Sequence, residues 1–457
     1  MAYPDPVPTK LSYRCKTLLL LAMTLFATEF LIRGPARFLR NGFNDFISPF
    51  VQSKIWVSGR DPYSPQELLR FWPIDAAHPE FLSRDAAVGA MASKYGIPSP
   101  YPMTCFALLA PLSGASWSSI RLLWLAINSA CALLLIAALV SVAGLSHRDP
   151  RTYMFCGLAL GFAPLHTAMA SGNLILIASA CAVIGMWSAK RGYETLTGIL
   201  LSFAVCIKPT VGIVFLGYYL FSRRWRPTLI GAAVTALVVA ISVLRYGLSV
   251  AKWLPSYLTT LSEMFGTGGV NDFSTANYLR FHLLNLPMPL YSAVHDATTA
   301  NAIAWIVAGA LLLLWMTFAR REGGQELLDL SALSIIALLP VYHRFMDATL
   351  LLLPLCWCLK ARTPNYKPIV WVMILFIVPF LLPGASLLAT LAASGQVSSY
   401  VLSSWGWNVL LLPHEAWAIL GLSLALLYAM SLARERGISR EDLSETLAER
   451  LGFAKAS

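Results

Sequence analysis

An acid between a carboxamide and an aromatic ring, Asn44-Asp45-Phe46, follows the first apolar run of the chain, and such a carboxylate could take a proton from a hydroxyl. The same position suits a helix cap. Ile47, Phe50, Val51 and Ile55 recur behind it at helical spacing, and a carboxylate at a cap accepts backbone N–H bonds. Local chemistry leaves both readings open. Lys208 stands between apolar runs directly before Pro209, either as a lysine that snorkels to an interface or as a cation for a lipid phosphate. His343 and Asp347 are four apart, hence on one face of a helix, with Arg344 adding charge. They form a satisfied pair or part of a site for phosphate and sugar. Asn277, Tyr278 and Arg280 could reach a substrate from a neighbouring loop. Two conspicuous stretches read as structure. Asp61-Pro62-Tyr63 has Asp and Pro in the first two positions of a turn, and Gly266-Thr267-Gly268-Gly269 lacks the strand and helix that frame a phosphate cradle.

The elements that position these residues follow from composition. Of 457 residues 57% are hydrophobic and 12% charged, against roughly 25% charge in soluble domains. About twelve apolar runs separated by short basic patches predict an all-α integral membrane protein, a single bundle over residues 1–433. A cytoplasmic amphipathic tail, 434–457, follows, with Ser439 to Asp442 as cap and Leu443, Leu447 and Leu451 on one face. The net charge of +11 sits at the ends of apolar runs, where it signals topology and not nucleic-acid binding. Eight cysteines without a C-x-x-C spacing argue against metal and disulfide frameworks.

Lys10, Arg14 and Lys16 place the N-terminus inside, and the remaining basic patches then fall inside too. Two long outer loops result, about 34–117 and 246–297. In the first, Ile47, Phe50, Val51 and Ile55 at helical spacing read as an amphipathic helix in the membrane interface, with Ser48, Gln52, Ser53 and Lys54 on its polar side. Pro98-Ser99-Pro100-Tyr101-Pro102 is an extended entry to a short apolar stretch that dips into the membrane. The two runs flanking Lys208 are only about 13 residues each, roughly 20 Å of helix, and read either as one broken helix or as spans of a locally thinned membrane. With this topology Asp45, Asp61, Tyr101, Asn173, Lys208, Asp272, Arg280, His343 and Asp347 all reach the outer face. Ionisable groups at membrane depth are costly, so a one-sided concentration marks a site.

Asn44-Asp45-Phe46, Gly59-Arg60-Asp61-Pro62-Tyr63, Tyr101-Pro102, Gly172-Asn173, Ile207-Lys208-Pro209 and the His343 to Asp347 cluster, in that order, resemble glycosyltransferase family 87. The resemblance covers roughly residues 15–360 and implies a GT-C-type multi-span bundle. It also implies a polyprenyl-phosphate sugar donor, typically mannose, an acceptor glycan or glycolipid on the outer side, and a multi-pass protein of the plasma (inner) membrane. In the implied inverting transfer Asp45 is the general base, while Lys208, His343, Arg280, Asn173, Tyr101 and Asp347 bind donor phosphate or substrate. No cofactor, metal or nucleic acid is expected. The sequence departs from the family pattern at Gly172-Asn173, where Gly-Gln is more usual, at Met103 after Tyr101-Pro102, and in the wide His343 to Asp347 spacing. A transporter or flippase would instead carry ionisable groups at mid-membrane depth. A non-catalytic envelope subunit would hold Asp45 and Lys208 far apart.

Overall fold

The computed structural model describes residues 13–40, 45–72, 99–246, 249–277, 279–319, 325–361 and 364–450, and no strand occurs among them. Asn44 and Tyr278, and the basic anchors Lys10, Arg320, Arg321 and Arg362, lie outside the described residues.

Helices α1 (Tyr13–Arg33) and α2 (Pro35–Arg40) lead into α3 (Ile47–Val57) and α4 (Pro65–Phe71) of the first loop. Helices α5 (Met103–Leu109) and α6 (Trp117–Ala143) follow, then α7 (Pro150–Leu160) and α8 (Ala163–Ser171), which bend by 46° at their junction. The centre is built from α9 (Ile175–Lys190), α10 (Glu194–Ile207), α11 (Pro209–Phe221) and α12 (Trp225–Leu244). The second loop carries α13 (Leu254–Phe265) and α14 (Pro287–Val294). Beyond it lie α15 (Ala297–Phe318), α16 (Glu326–Ile336), α17 (Leu352–Lys360), α18 (Lys367–Ile377), α19 (Gly384–Ala393), α20 (Ser399–Ser403) and α21 (His414–Arg450).

Six helical segments are long and apolar enough to cross a membrane, and the bent α7–α8 pair would make a seventh. Leu18, Leu25, Leu229, Ile306, Leu313 and Trp371 each expose more than half of their surface on such segments. Apolar side chains without a protein neighbour need a lipid one. The chain is therefore a multi-pass membrane protein.

Helices α9, α10 and α11 have 16, 14 and 13 residues, about 24, 21 and 20 Å. Most of α9 is buried, so it is wrapped by other helices and not by lipid. Its length separates two ends of the molecule. Asn173 precedes its start, and Lys190 ends it, with the Lys190 ammonium donating to the Val142 carbonyl at 2.6 Å. At that same far end Arg224 donates to Ala189 O at 3.0 Å, and Arg151 donates to Leu359 O at 3.2 Å. Basic side chains thus satisfy the open carbonyls of helix C-termini there.

Two expectations about local elements need correction. Helix α3 does not turn its polar side to water, because Gln52 and Ser53 are fully buried along with Phe50, Val51 and Ile55. Gln52 donates to Pro62 O and Ser99 O, and Lys54 donates to Ala115 O, so these two bond protein and not water. The C-terminal segment is not a separately capped helix either, since α21 continues unbroken through Ser439 to Arg450.

Candidate active site

Asp45 is not the cap of α3; that place belongs to Phe46, which contributes no side-chain cap bond. The Asp45 carboxylate instead turns to Asn173, whose Nδ2 donates to Oδ2 at 3.0 Å, and the Asp45 N–H donates to Ser171 O at 2.7 Å. The partner turn is built by Gly172. Its φ of +66° ends α8 in the left-handed region that a side chain avoids, and the Asn173 N–H closes on Ala168 O at 3.0 Å. Asn173 Oδ1 then accepts from Ile175 N at 3.0 Å, which opens α9. Among the described residues nothing bonds Asp45 Oδ1.

Lys208 ends α10 and precedes Pro209, the first residue of α11, so it sits at the apex of a helical hairpin. Gly212 lets the two helices close, since a β-carbon there would lie 2.2 Å from Val205 N. Lys208 does not snorkel. Its side chain is 14% exposed, and its ammonium is paired with Oδ1 of the buried Asp347. The other oxygen, Oδ2, takes His343 Nδ1 at 3.0 Å and Arg344 N at 3.2 Å. His343 and Asp347 do meet, but through a tight 3-10 turn (Phe345–Leu351) with His343 before its start, not along one α-helical face. A carboxylate only accepts, so Nδ1 carries the hydrogen. Among the described residues Nε2 of this imidazole, itself 1% exposed, is buried without a partner.

Tyr101 lies within electrostatic reach of both carboxylates. Burial raises the pKa of its phenol well above the usual tyrosine range, and Asp45 and Asp347 are both among the charges that reach it and push the same way. Its backbone is pinned by Tyr63 and Gln52, to which the sequence alone assigns no place in a site. Tyr63 Oη donates to Tyr101 O at 2.8 Å, and Gln52 Nε2 donates to Pro62 O at 3.1 Å and Ser99 O at 3.2 Å. Thr104 Oγ1 donates to Cys206 O at 2.8 Å, tying α5 to the apex that carries Lys208. Ser171 Oγ lies 3.8 Å from Met346 Sδ, joining the Asp45 side to the Asp347 side.

Arg280 is buried, but its guanidinium donates to Ser292 Oγ at 3.1 Å and Asn408 Oδ1 at 3.5 Å, and no described contact joins it to Lys208, His343 or Asp347. Its segment reaches the site through the backbone, where Leu284 N donates to His343 O at 2.8 Å. Arg344 anchors the second loop by donating to Val270 O and Asn271 Oδ1, each at 3.2 Å. Asp272 organises that loop, accepting from Gly268 N and Ser274 N at 2.8 Å, and Asn277 Nδ2 donates to Asp272 O at 2.7 Å. Asp61 is a turn residue, as its sequence suggests: Oδ1 accepts from Tyr63 N at 3.0 Å.

One end of the molecule therefore gathers a carboxylate and an imidazole, each with an atom unpaired among the described residues, and an ammonium beside the imidazole. The family described as glycosyltransferase family 87 matches residues 100–342, just over half of the chain. The chain belongs to glycosyltransferase family 87. This family 87 protein is accordingly a membrane glycosyltransferase, acting between a sugar donor and an acceptor. The matched segment contains Tyr101, Asn173, Lys208 and Arg280 and stops one residue short of His343. Asp45, His343 and Asp347 lie outside it. Comparison with curated proteins and with solved structures gave no match.

Proposed function

We propose that this glycosyltransferase moves a hexose, mannose, from a polyprenyl-phosphate donor to a glycan or glycolipid acceptor on the extracytoplasmic side of the plasma (inner) membrane, with inversion. The proposal includes about twelve crossings of one bundle to residue 433, with the 434–457 tail inside. The observation that carries it is the pairing of segments. Asn173 and Lys208, within the family match, are bonded to Asp45 and Asp347, outside it.

In this reading Asp45 Oδ1 takes the proton of the acceptor hydroxyl as its oxygen attacks the anomeric carbon. The bond from that carbon to the phosphate oxygen breaks on the opposite face, and its electron pair leaves with the polyprenyl phosphate. An oxocarbenium-like state lies between. Negative charge develops on the departing phosphate, and His343, with a proton on Nε2, donates to it while Lys208 supplies positive charge nearby. Charge-assisted bonds of this kind are about twice as strong as neutral ones. Asp347 keeps Lys208 and His343 side by side, and Tyr101 lines the space between Asp45 and the phosphate. Arg280 ties the second loop to Asn408, outside the phosphate-binding group itself.

The test is transfer of radiolabelled mannose from polyprenyl-phosphate mannose to host lipid extract by the purified protein. General-base catalysis contributes about 10²- to 10⁴-fold, so Asp45→Asn should lower turnover by at least the smaller factor while donor binding persists. Wild-type turnover by that variant would sink the assignment. Absence of product from every polyprenyl sugar supplied to the wild-type protein would favour a transporter.

A further inference from the structure

The contacts around Asp45 form a closed ring whose purpose goes beyond holding a loop. At one corner the Phe46 ring stacks on Trp124 with centroids 3.7 Å apart and planes within 7°. Trp124 Nε1 donates to Gly172 O at 2.9 Å. From the same turn Ser171 O accepts the Asp45 N–H, and Asn173 Nδ2 returns to Asp45 Oδ2. All four residues between which the ring closes are rigidly seated: Phe46 and Trp124 are buried, Asn173 is 8% exposed, and Gly172 holds its left-handed turn. The Asn173 amide has one productive orientation. Its oxygen is taken by Ile175 N, so its NH2 must face the carboxylate.

We infer that this ring is a clamp for the catalytic base, in which Asn173 is a positioning residue that immobilises Asp45 Oδ2 and leaves Oδ1 for the acceptor hydroxyl, without itself binding substrate. The inference rests on the reading of Asp45 as base and changes the role that family resemblance implies for Asn173. A carboxylate held at its backbone N–H, at the neighbouring ring and at one oxygen cannot swing its other oxygen away from the attack line. Misplacement by about 1 Å can cost on the order of 10²-fold in rate.

A double-mutant cycle separates this from a structural or substrate-binding role. In the labelled-mannose assay Asn173→Ala is expected to lower kcat by about 10- to 100-fold with donor and acceptor KM unchanged. In the Asp45→Asn background the same change should cost nothing further, because the clamp then has no base to hold. Trp124→Phe keeps the stacking and deletes the Nε1–H; it should lower kcat in the same direction by less, and again only when Asp45 is present. Thermal melting in detergent confirms that each variant is folded. The clamp is overturned if Asn173→Ala raises KM at unchanged kcat, or if its loss is as large without Asp45 as with it. Should Asp45→Asn itself turn over at the wild-type rate, the base assignment fails and the clamp with it. An inactive Asp45→Asn beside a fully active Asn173→Ala refutes the clamp alone.

Discussion

Asp347 illustrates how a single side chain can be conspicuous in sequence while its chemistry stays hidden. Its spacing from His343 is local and legible, whereas its bond to Lys208 joins positions 139 apart and depends on the α10–α11 apex arriving beside the 3-10 turn. Breaking a buried ion pair by removing one partner costs about 3–5 kcal/mol, because the other charge is left without compensation. Asp347→Asn should therefore lower the melting temperature more than the paired change Lys208→Met with Asp347→Leu, as differential scanning fluorimetry in detergent would show. His282 gives a second prediction at this scale. Burial, and then the nearby Arg344, lower its pKa from 6.5 to about 4. An unfolded chain protonates this histidine below about 6.5 while the folded one keeps it neutral down to about 4. The folded state thus loses stability as pH falls through that window and is unaffected above it. His282→Gln should show a smaller fall in melting temperature between pH 7 and pH 4 than the wild type.

At the scale of elements, two glycines set the geometry that the site uses. Gly172 adopts φ +66° between α8 and Asn173, and an alanine there costs about 1–2 kcal/mol in the left-handed region. Because the same turn aims Asn173 at Asp45, Gly172→Ala should reduce both melting temperature and turnover, and a variant with full turnover would detach the turn from the site. Gly212 allows α11 to close on the backbone of α10, and overpacking there costs about 1–3 kcal/mol. Gly212→Ala should thus destabilise the hairpin and displace Lys208, read as a lower melting temperature with a raised donor KM. The break at Lys208 was legible, since Lys208-Pro209 divides two apolar runs and proline starts the second helix, but that the two helices fold back on each other was not. The surroundings of α3 were not. A periodic pattern with Ser48, Gln52 and Ser53 on one side reports only that those residues need polar partners. Here Pro62 and Ser99 supply them for Gln52 in place of water.

For the molecule as a whole, the two ends differ in what they carry. Asn173, Lys208 and the His343 turn collect at one end of the central helices. Lys190, Arg224 and Arg151 satisfy helix C-termini at the other. If the basic end is cytoplasmic, as the bias of Lys and Arg toward that side predicts, a cysteine at Tyr400, which is 84% exposed and lies in the segment that Ser386 and Asn408 join to the second loop, should react with an impermeant maleimide on intact cells. A cysteine at Arg226, whose side chain is 80% exposed, should react only after permeabilisation. The reverse pattern would place the site in the cytoplasm. Seven of the eight cysteines are described and none is more than partly exposed, which keeps the background low. The sequence by itself determined the solvent of this protein, the helical type of its elements and the residues able to do chemistry. Those properties follow from local apolar runs, helix-end charges and side-chain types. Only the tertiary structure decided which ionisable group meets which, because pairs separated by 128 and 139 positions, Asp45 with Asn173 and Lys208 with Asp347, are set by how helices pack and by nothing encoded near either residue.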